Sequence, residues 1–433
     1  MTALAYNLIL FAASPLLVSY LLYRIVVLGK SRAGFTERLG WLPVSRSRSV
    51  TRLWAHSVSA GEAVAAAAIL RHVHRLDPDM EIVVTATTPA GLQQLERLVP
   101  FAHWRGYFPF DFLPCVGLAL SRVRPTVVAA VETEIWPNWI WLAGRLGARR
   151  ALVNGQFADR GYRKARKARW LYRWALSGLD DLYLQSALAA ERARDLGAPP
   201  DRIRVIGNVK FDQAVSAPSE EAAAVVRGCL ELDQGRPLWI AASTHPGEEE
   251  QVLAAYRLVL TQFPGARLLI APRHIERAEE VMELIRVGGF AAGRRSTPPQ
   301  EPVDVLVLDT MGELAGLYRL GDAAFVGGSL APIGGHDILQ PMLQHVPVAV
   351  GPHTHNQRDI VALAVEAGAV AITRDATELA QAVTWMLHGV ERRTSLLRGA
   401  GRLLSDNQGA AEACARLLIE LAHGRGPRTG WGQ

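Results

Sequence analysis

Asp309-Thr-Met-Gly-Glu-Leu314, Phe325-Val-Gly-Gly-Ser-Leu330 and Gly334-Gly-His-Asp337 decide the reading of this chain. Each follows a short apolar run that reads as a buried strand, and each sits where a strand gives way to a helix. A parallel αβ sheet takes its ligands at the carboxyl ends of its strands, where backbone N–H groups at helix starts hold phosphate. Three such turns close together suggest a nucleotide-sugar site. Glycine-rich turns alone are weak evidence, so the rest of the chain has to support them.

Outward from these turns, apolar runs alternate with amphipathic stretches. Strands are expected at Arg52–Val58, Ile82–Ala86, Thr126–Val131, Ala151–Asn154 and Leu182–Gln185. The segment Val215-Ser-Ala-Pro-Ser219 breaks the pattern and reads as a linker. Strands then resume at Leu238–Ser243, Arg267–Ala271, Val303–Leu308, Ala323–Val326, Val346–Val350 and Ala369–Thr373. This predicts an α/β protein of two Rossmann-like halves, with a cleft between them where donor and acceptor meet. A closing helix is expected over Asn407–His423, followed by a disordered tail.

The length of 433 residues favours at least two domains, and 49% hydrophobic with 20% charged residues is a globular composition. Cys115, Cys229 and Cys414 are far apart and fit neither a metal spacing nor a disulfide framework. They read as small apolar core residues in a reducing compartment. The net charge of +6 is modest but concentrated. Arg160–Arg173 reads RGYRKARKARWLYR, a basic segment interleaved with aromatics. Such a segment fits nucleic acid, an anionic membrane surface or a solvated helix face. No nucleic-acid module accompanies it, and the amino terminus favours the membrane.

Ala3–Tyr23 is almost wholly apolar and carries no charge, and about 20 apolar residues suffice to cross the hydrocarbon core. Arg24, Lys30, Arg32 and Arg38 follow it, which places the carboxyl-terminal side in the cytoplasm. A basic start and a small-residue cleavage site, the marks of a cleaved signal, are not evident. Asn7, Ser14 and Pro15 weaken the span, so both a spanning and an interfacial anchor stay open. Either way, a membrane-attached protein with a cytoplasmic body is expected.

Several further motifs run in order along the chain. They are His56-Ser-Val-Ser-Ala-Gly-Glu62, Glu132-Thr-Glu-Ile-Trp-Pro-Asn138, Gly207-Asn-Val-Lys-Phe-Asp212, Ala242-Ser-Thr-His245 with Gly247-Glu-Glu249, Pro272-Arg-His274 and Gly351-Pro-His353. With the three opening turns they resemble the 3-deoxy-D-manno-octulosonic acid (Kdo) transferases of lipid A core biosynthesis. The resemblance implies a GT-B glycosyltransferase: a membrane anchor at 1–30, an acceptor domain at 31–215, a CMP-sugar donor domain at 220–405, and a closing helix and tail at 406–433. It also implies transfer of Kdo from CMP-Kdo to the tetra-acylated lipid A precursor at the inner membrane.

The same resemblance assigns roles. Glu62 is the proton acceptor, since a sugar hydroxyl needs a general base; a helix-capping carboxylate is its bland alternative. Glu132 and Lys210 match positions that stabilise the transition state. An ammonium balances charge on the departing phosphate, and a carboxylate offsets oxocarbenium character. Glu134 stands beside Glu132, and sequence does not separate the two; a buried salt bridge is the alternative role. Pro272, Arg273, Met311, Gly312 and Glu313 match CMP-binding segments, and Asp337, Ile338, Leu339 and Gln340 match a third. Ser243 and Thr244 fall in a turn near the phosphate. No cofactor is expected, and no metal, because CMP-Kdo carries a single bridging phosphate and no Asp-x-Asp motif is evident. The expected partners are CMP-Kdo, the lipid A precursor and the membrane, without nucleic acid.

Two stretches depart from the family. Its pattern Gly-Gly-His-Asn, two residues, Glu here reads Gly334-Gly-His-Asp-Ile-Leu-Gln340, so amide and carboxylate trade places. Its Asn-Ala-Arg reads Asn154-Gly-Gln156, with Arg160 or Arg163 left to replace the lost cation. These changes keep two other readings open: a transferase of another CMP-activated ulosonic acid, and a catalytically silent relative.

Overall fold

The computed structural model describes residues 2–26, 33–44, 50–213 and 219–424. The chain divides into two compact units, 1–213 with 407–433, and 214–406. Each is built around a seven-stranded parallel sheet. Of the linker expected at Val215–Ser219, residues 215–218 lie outside the described residues, as do the tail from 425, Lys30, Arg32 and the side chains of Arg24 and Arg160.

The N-terminal unit begins with α1 (Thr2–Val26). Its strands are β1 (Arg52–Ser57), β2 (Glu81–Ala86), β3 (Trp104–Tyr107), β4 (Val127–Val131), β5 (Arg149–Gly155), β6 (Asp181–Leu184) and β7 (Ile203–Val205). They lie in the order β3-β2-β1-β4-β5-β6-β7. The central strands are buried along their whole length, which explains why they read as continuous apolar runs. The sequence reading found five of these strands and missed β3 and β7. Both are short edge strands with charged residues (Trp104-Arg-Gly-Tyr107, Ile203-Arg-Val205), so neither shows an apolar run.

Helices follow the strands as crossovers. α2 (Ala60–Leu76) is capped by Ser59, whose side chain accepts from the Glu62 N–H. Its buried alanines let it pack closely on the sheet. α3 (Pro137–Arg145), α4 (Asp159–Lys167) and α5 (Arg169–Ser177) follow. The closing helix, α6 (Ala410–Ala422), belongs to this unit. Cys414 and Leu418 are buried in its core against α2, and the Asp212 carboxylate accepts from Gly409 N and Ala411 N at 2.7 Å each.

Among the described residues no helix is long and apolar enough to cross a membrane, so the expected span is not confirmed. Instead, Tyr6 and Asn7 in the first two turns of α1 are docked on this unit. Tyr6 Oη donates to Asp111 at 3.0 Å, and Asn7 hydrogen-bonds Asn138. The amino end of α1 is thus in side-chain contact with the body of this unit.

The second unit contains β8 (Leu238–Thr244), β9 (Arg267–Pro272), β10 (Ala292–Arg294), β11 (Val305–Val307), β12 (Ala323–Val326), β13 (Val348–Val350) and β14 (Val370–Ile372). Their order is β10-β11-β9-β8-β12-β13-β14, which differs from the first unit in that β11 inserts between β10 and β9, while the reversal falls between β8 and β12. Only β10, another short edge strand, escaped the sequence reading. The three cysteines are free, and Cys229 and Cys414 are buried, as the core reading expected.

Candidate active site

In the N-terminal unit the winding reverses between β1 and β4, which pair side by side. In open αβ sheets this switch point is where ligands bind. The segment after β1 carries Glu62, and Glu132 follows β4 directly. The fold thus brings together two motifs about seventy residues apart in sequence.

Glu62 occupies the third position of α2. Its Oε2 accepts from Val58 N at 2.7 Å, and its Oε1 accepts from Ser59 Oγ at 2.9 Å. The bland alternative is therefore real: Glu62 helps to cap its helix. A carboxylate has about four acceptor sites, so capping leaves capacity for a further proton. Burial raises the proton affinity of Glu62; the Val58 N–H opposes this and the Glu132 charge adds to it. Among the described residues a methyl group at Gly61 would meet nothing within 4 Å, so no packing need among them explains that glycine.

Glu132 is buried, with a left-handed φ of 60°. Its Oε1 lies 2.8 Å from Lys210 Nζ, and its Oε2 accepts from Gln156 Nε2 at 2.9 Å. Asn154, also left-handed at φ 52°, donates toward Glu132 Oε1 at 3.5 Å while its Oδ1 accepts from Val209 N at 3.1 Å. One amide thus ties β5 to both Glu132 and the Lys210 turn. Sequence reasoning flagged Gln156 as a missing cation; in space it is a neutral partner of Glu132.

Glu134 separates from Glu132 here. Burial, then the Glu62 charge, then the Glu132 charge push its carboxyl up to about 7. Glu132 is the ion-paired member, and Glu134 is the proton-holding one. Three carboxylates and one ammonium thus form one charged group, in which burial and carboxylate repulsion raise the proton affinity of Glu62 and Glu134. Beside them His56 is fully buried, stacked on Phe108 at 3.7 Å between ring centroids, and burial lowers it to about 3. It is a neutral part of the scaffold.

The second unit places the other predicted residues at the carboxyl ends of β8, β9, β11 and β12. Arg273 follows β9, is exposed, and donates its backbone N–H to Thr244 O at 3.0 Å; Pro272 ends the strand and is buried. Met311 is 64% exposed, and Gly312 has φ 84°. Glu313 pairs with Arg295 at 3.0 Å and accepts from Thr310 Oγ1 at 2.6 Å. Asp337 Oδ1 accepts from Leu339 N at 2.9 Å and Gln340 is half-buried. Ile338 and Leu339 are buried, so their side chains are not open to a ligand. Ser243 is left-handed at φ 53° beside them.

One opening expectation needs correction. The turn after β12 does not offer its N–H groups to a phosphate, because the buried Glu248 carboxylate takes them. Oε1 accepts from Ser329, Leu330 and Ala331 and Oε2 from Gly328, all between 2.7 and 3.1 Å. A methyl group at Gly327 would fall 2.7 Å from Glu248 Oε2, so the turn is already full. The next turn is also closed, since Gly334 N and Gly335 N both donate to Gly328 O. Close by, His245 Nε2 and His336 Nε2 are 2.8 Å apart, and burial, then His245, lowers His336 to about 4. Among the described residues no three His, Cys, Asp or Glu side chains gather as a metal site.

Residues 33–213 match the family model described as 3-Deoxy-D-manno-octulosonic-acid transferase (kdotransferase). A 3-deoxy-D-manno-octulosonic acid transferase of Haemophilus influenzae is 30% identical, over 95% of this chain and 97% of its own length. The chain belongs to the Kdo transferase family. A Bordetella pertussis member is 32% identical over 83% of this chain and 84% of its own. Among solved structures, Staphylococcus aureus MnaA with UDP (TM-score 0.58, 12% identity) covers 88% of this chain and 100% of its own. The Neisseria meningitidis UDP-GlcNAc 2-epimerase with UDP-GlcNAc (0.57, 11%) covers 86% and 100%. At such identities the likeness concerns fold alone, and it agrees with the expected GT-B-like, two-Rossmann class.

Proposed function

We propose that this Kdo transferase family member is an inverting, metal-independent glycosyltransferase using CMP-Kdo as donor and the tetra-acylated lipid A precursor as acceptor. The observation that carries the reading is Glu62 at the switch point, its proton affinity raised among Glu132, Glu134 and Lys210. The acceptor hydroxyl attacks the anomeric carbon of Kdo, its proton passes to Glu62, and CMP leaves with the bond electrons. Lys210 offsets the phosphate charge, and the carboxylates favour positive character at the anomeric carbon. Arg273, with Met311–Glu313 and Asp337–Gln340, holds the CMP moiety, the guanidinium matching its single phosphate.

The protein works on the cytoplasmic face of the inner membrane. Arg163, Lys164, Arg166, Lys167 and Trp170 are exposed on α4 and α5, which suits anionic headgroups. Changing the four basic residues to Glu lowers liposome binding; undiminished binding would remove this face from the proposal.

The main test is transfer in detergent micelles with CMP-Kdo made in situ. Wild type makes the Kdo-lipid adduct, and Glu62→Gln makes none while still binding CMP. The exchange at Asp337 and Gln340 favours one second reading, a different CMP-activated ulosonic acid as donor. Wild type that binds CMP yet transfers no Kdo would make that second reading the leading one.

A further inference from the structure

We infer that α1 is a working part of the acceptor-side site as well as an attachment: through Tyr6 and Asn7 it positions the Glu132-Thr-Glu134 turn. The inference rests on the proposed transferase role for that turn. An attachment helix needs only apolar residues, yet the docked stripe of α1 carries a phenol and an amide. Asn7 and Asn138 exchange two hydrogen bonds, Nδ2 to Oδ1 in each direction, at 2.8 and 2.9 Å. Tyr6 Oη donates to Asp111 Oδ2 at 3.0 Å, and its ring lies 6.0 Å from that of Trp174.

These partners control the start of α3. Asp111 is 7% exposed and Asn138 fully buried. The Asp111 carboxylate accepts from Asn138 N at 3.1 Å and Trp139 N at 2.9 Å, so it caps α3. Asn138 Nδ2 also donates to Asp111 O at 2.6 Å. Only Thr133 to Pro137 separate Glu132 from Asn138. Glu132 is fixed by Val153 O, Lys210 and Gln156, but beyond it the backbone bonds of the turn are few, Glu134 N to Val131 O at 3.4 Å and Ile135 N to Thr133 O at 2.8 Å. The Thr133–Pro137 part, which carries Glu134, therefore depends on the elements at its ends. One end is β4, and the other is the α3 start that Tyr6 and Asn7 complete. Removing either side chain takes a hydrogen bond from a buried partner, Asp111 Oδ2 or the Asn138 amide.

The other side of α1 has a different task. Leu4, Leu8 and Leu16 are 66%, 58% and 77% exposed, a stripe distinct from half-buried Ala3, Tyr6, Asn7 and Leu10. Positioning and attachment are therefore separable by mutation.

The experiment uses the full chain and three readouts: backbone hydrogen exchange over residues 132–140, transfer kinetics in micelles, and liposome cosedimentation. Asn7→Leu speeds exchange across the turn and lowers kcat by about tenfold, the size expected for a buried pair left half satisfied. It leaves the donor KM and liposome binding unchanged. Tyr6→Phe, which removes one hydroxyl and keeps the ring, shows the same pattern more weakly. Leu8→Ser with Leu16→Ser does the reverse, reducing liposome binding while exchange at the turn stays at the wild-type rate. Wild-type exchange and kcat in both Asn7→Leu and Tyr6→Phe would overturn the inference and leave α1 an attachment alone. Absence of transfer in wild type would count against the transferase reading, while the exchange measurement would still decide the positioning role.

Discussion

The Glu248 carboxylate accepts the backbone N–H of Ser329 at 2.9 Å, and this bond is one of four that fix the turn after β12. A fifth runs from His245 N to Glu248 Oε2 at 3.0 Å. An internal anion thus occupies the switch point of the second sheet, the position where an open αβ sheet would otherwise receive its ligand. Glu248→Ala would strand several buried donors, at a cost of at least ~3 kcal/mol. In denaturation followed by hydrogen exchange, protection around β8 and β12 is lost early while that around β1 and β4 persists. Equal protection in both units of the variant would mean that the turn holds without its anion.

Glu62 both caps α2 and serves as the proposed base, and two substitutions separate these roles. Glutamine retains an oxygen for the Val58 N–H and a donor for Ser59 Oγ but takes up no proton. Glu62→Gln therefore unfolds close to wild type and transfers nothing measurable. Glu62→Ala loses the cap as well, about 1 kcal/mol in urea unfolding. Residual transfer in the glutamine variant above that of the alanine variant would place the proton acceptor elsewhere, with Glu134 the next candidate.

The sequence readily shows what depends on local pattern: the central strands, the capping alternative for Glu62 and the order of motifs. Its failures have physical causes. β3, β7 and β10 are edge strands, so their residues need not be apolar. The roles of Glu132 and Glu134 separate only through Lys210 and Gln156, which arrive from other strands. Glu248 stood out only as part of the Gly247-Glu-Glu249 motif, because its hydrogen-bond partners come from a turn eighty residues further on. Asn7 looked like a flaw in an apolar run, and only the tertiary structure shows its partner.

Glu134 gives a pH prediction whose sign follows from burial. Its carboxyl is raised from the ordinary range to about 7, so the folded unit favours the protonated form. The stabilisation is complete below pH ~4.5 and is lost as pH rises through 7. Glu134→Gln stays neutral at all pH, so it should exceed wild type in stability at pH 8 by on the order of 1–2 kcal/mol and match it near pH 4. Urea midpoints at the two pH values check this. A variant less stable than wild type at pH 8 would show that the ionised Glu134 has a partner worth more than its burial costs.

Asp337 and Gln340 test whether the exchanged pair acts as a unit. Asp337 Oδ1 accepts from Leu339 N, and asparagine preserves that bond, so Asp337→Asn leaves the turn intact. Any loss in donor use then reflects the missing charge. Each single change, Asp337→Asn or Gln340→Glu, should raise the KM for CMP-Kdo severalfold, and the double variant should recover. Independent, additive effects would mean that the two positions do not share one ligand contact.

The His245–His336 pair predicts acid sensitivity in the second unit. With Nε2 atoms 2.8 Å apart, a single proton between them makes one ring donor and the other acceptor; a second proton there turns one ring into a cation and sets two N–H groups against each other. Burial lowers both groups, His336 to about 4. A histidine whose folded pKa lies below its unfolded value contributes stability that is present above pH ~6.5 and lost as pH falls toward 4. His336→Gln removes one titrating ring, so between pH 6.5 and 4 its stability should decline less steeply than that of wild type. CMP bound beside Arg273 would bring negative charge near the rings and raise their proton affinity. Nucleotide should therefore protect wild type more at pH 5 than at pH 7.5, and His336→Gln should lose that difference. Equal protection at both pH values in wild type would separate the histidine pair from the nucleotide site.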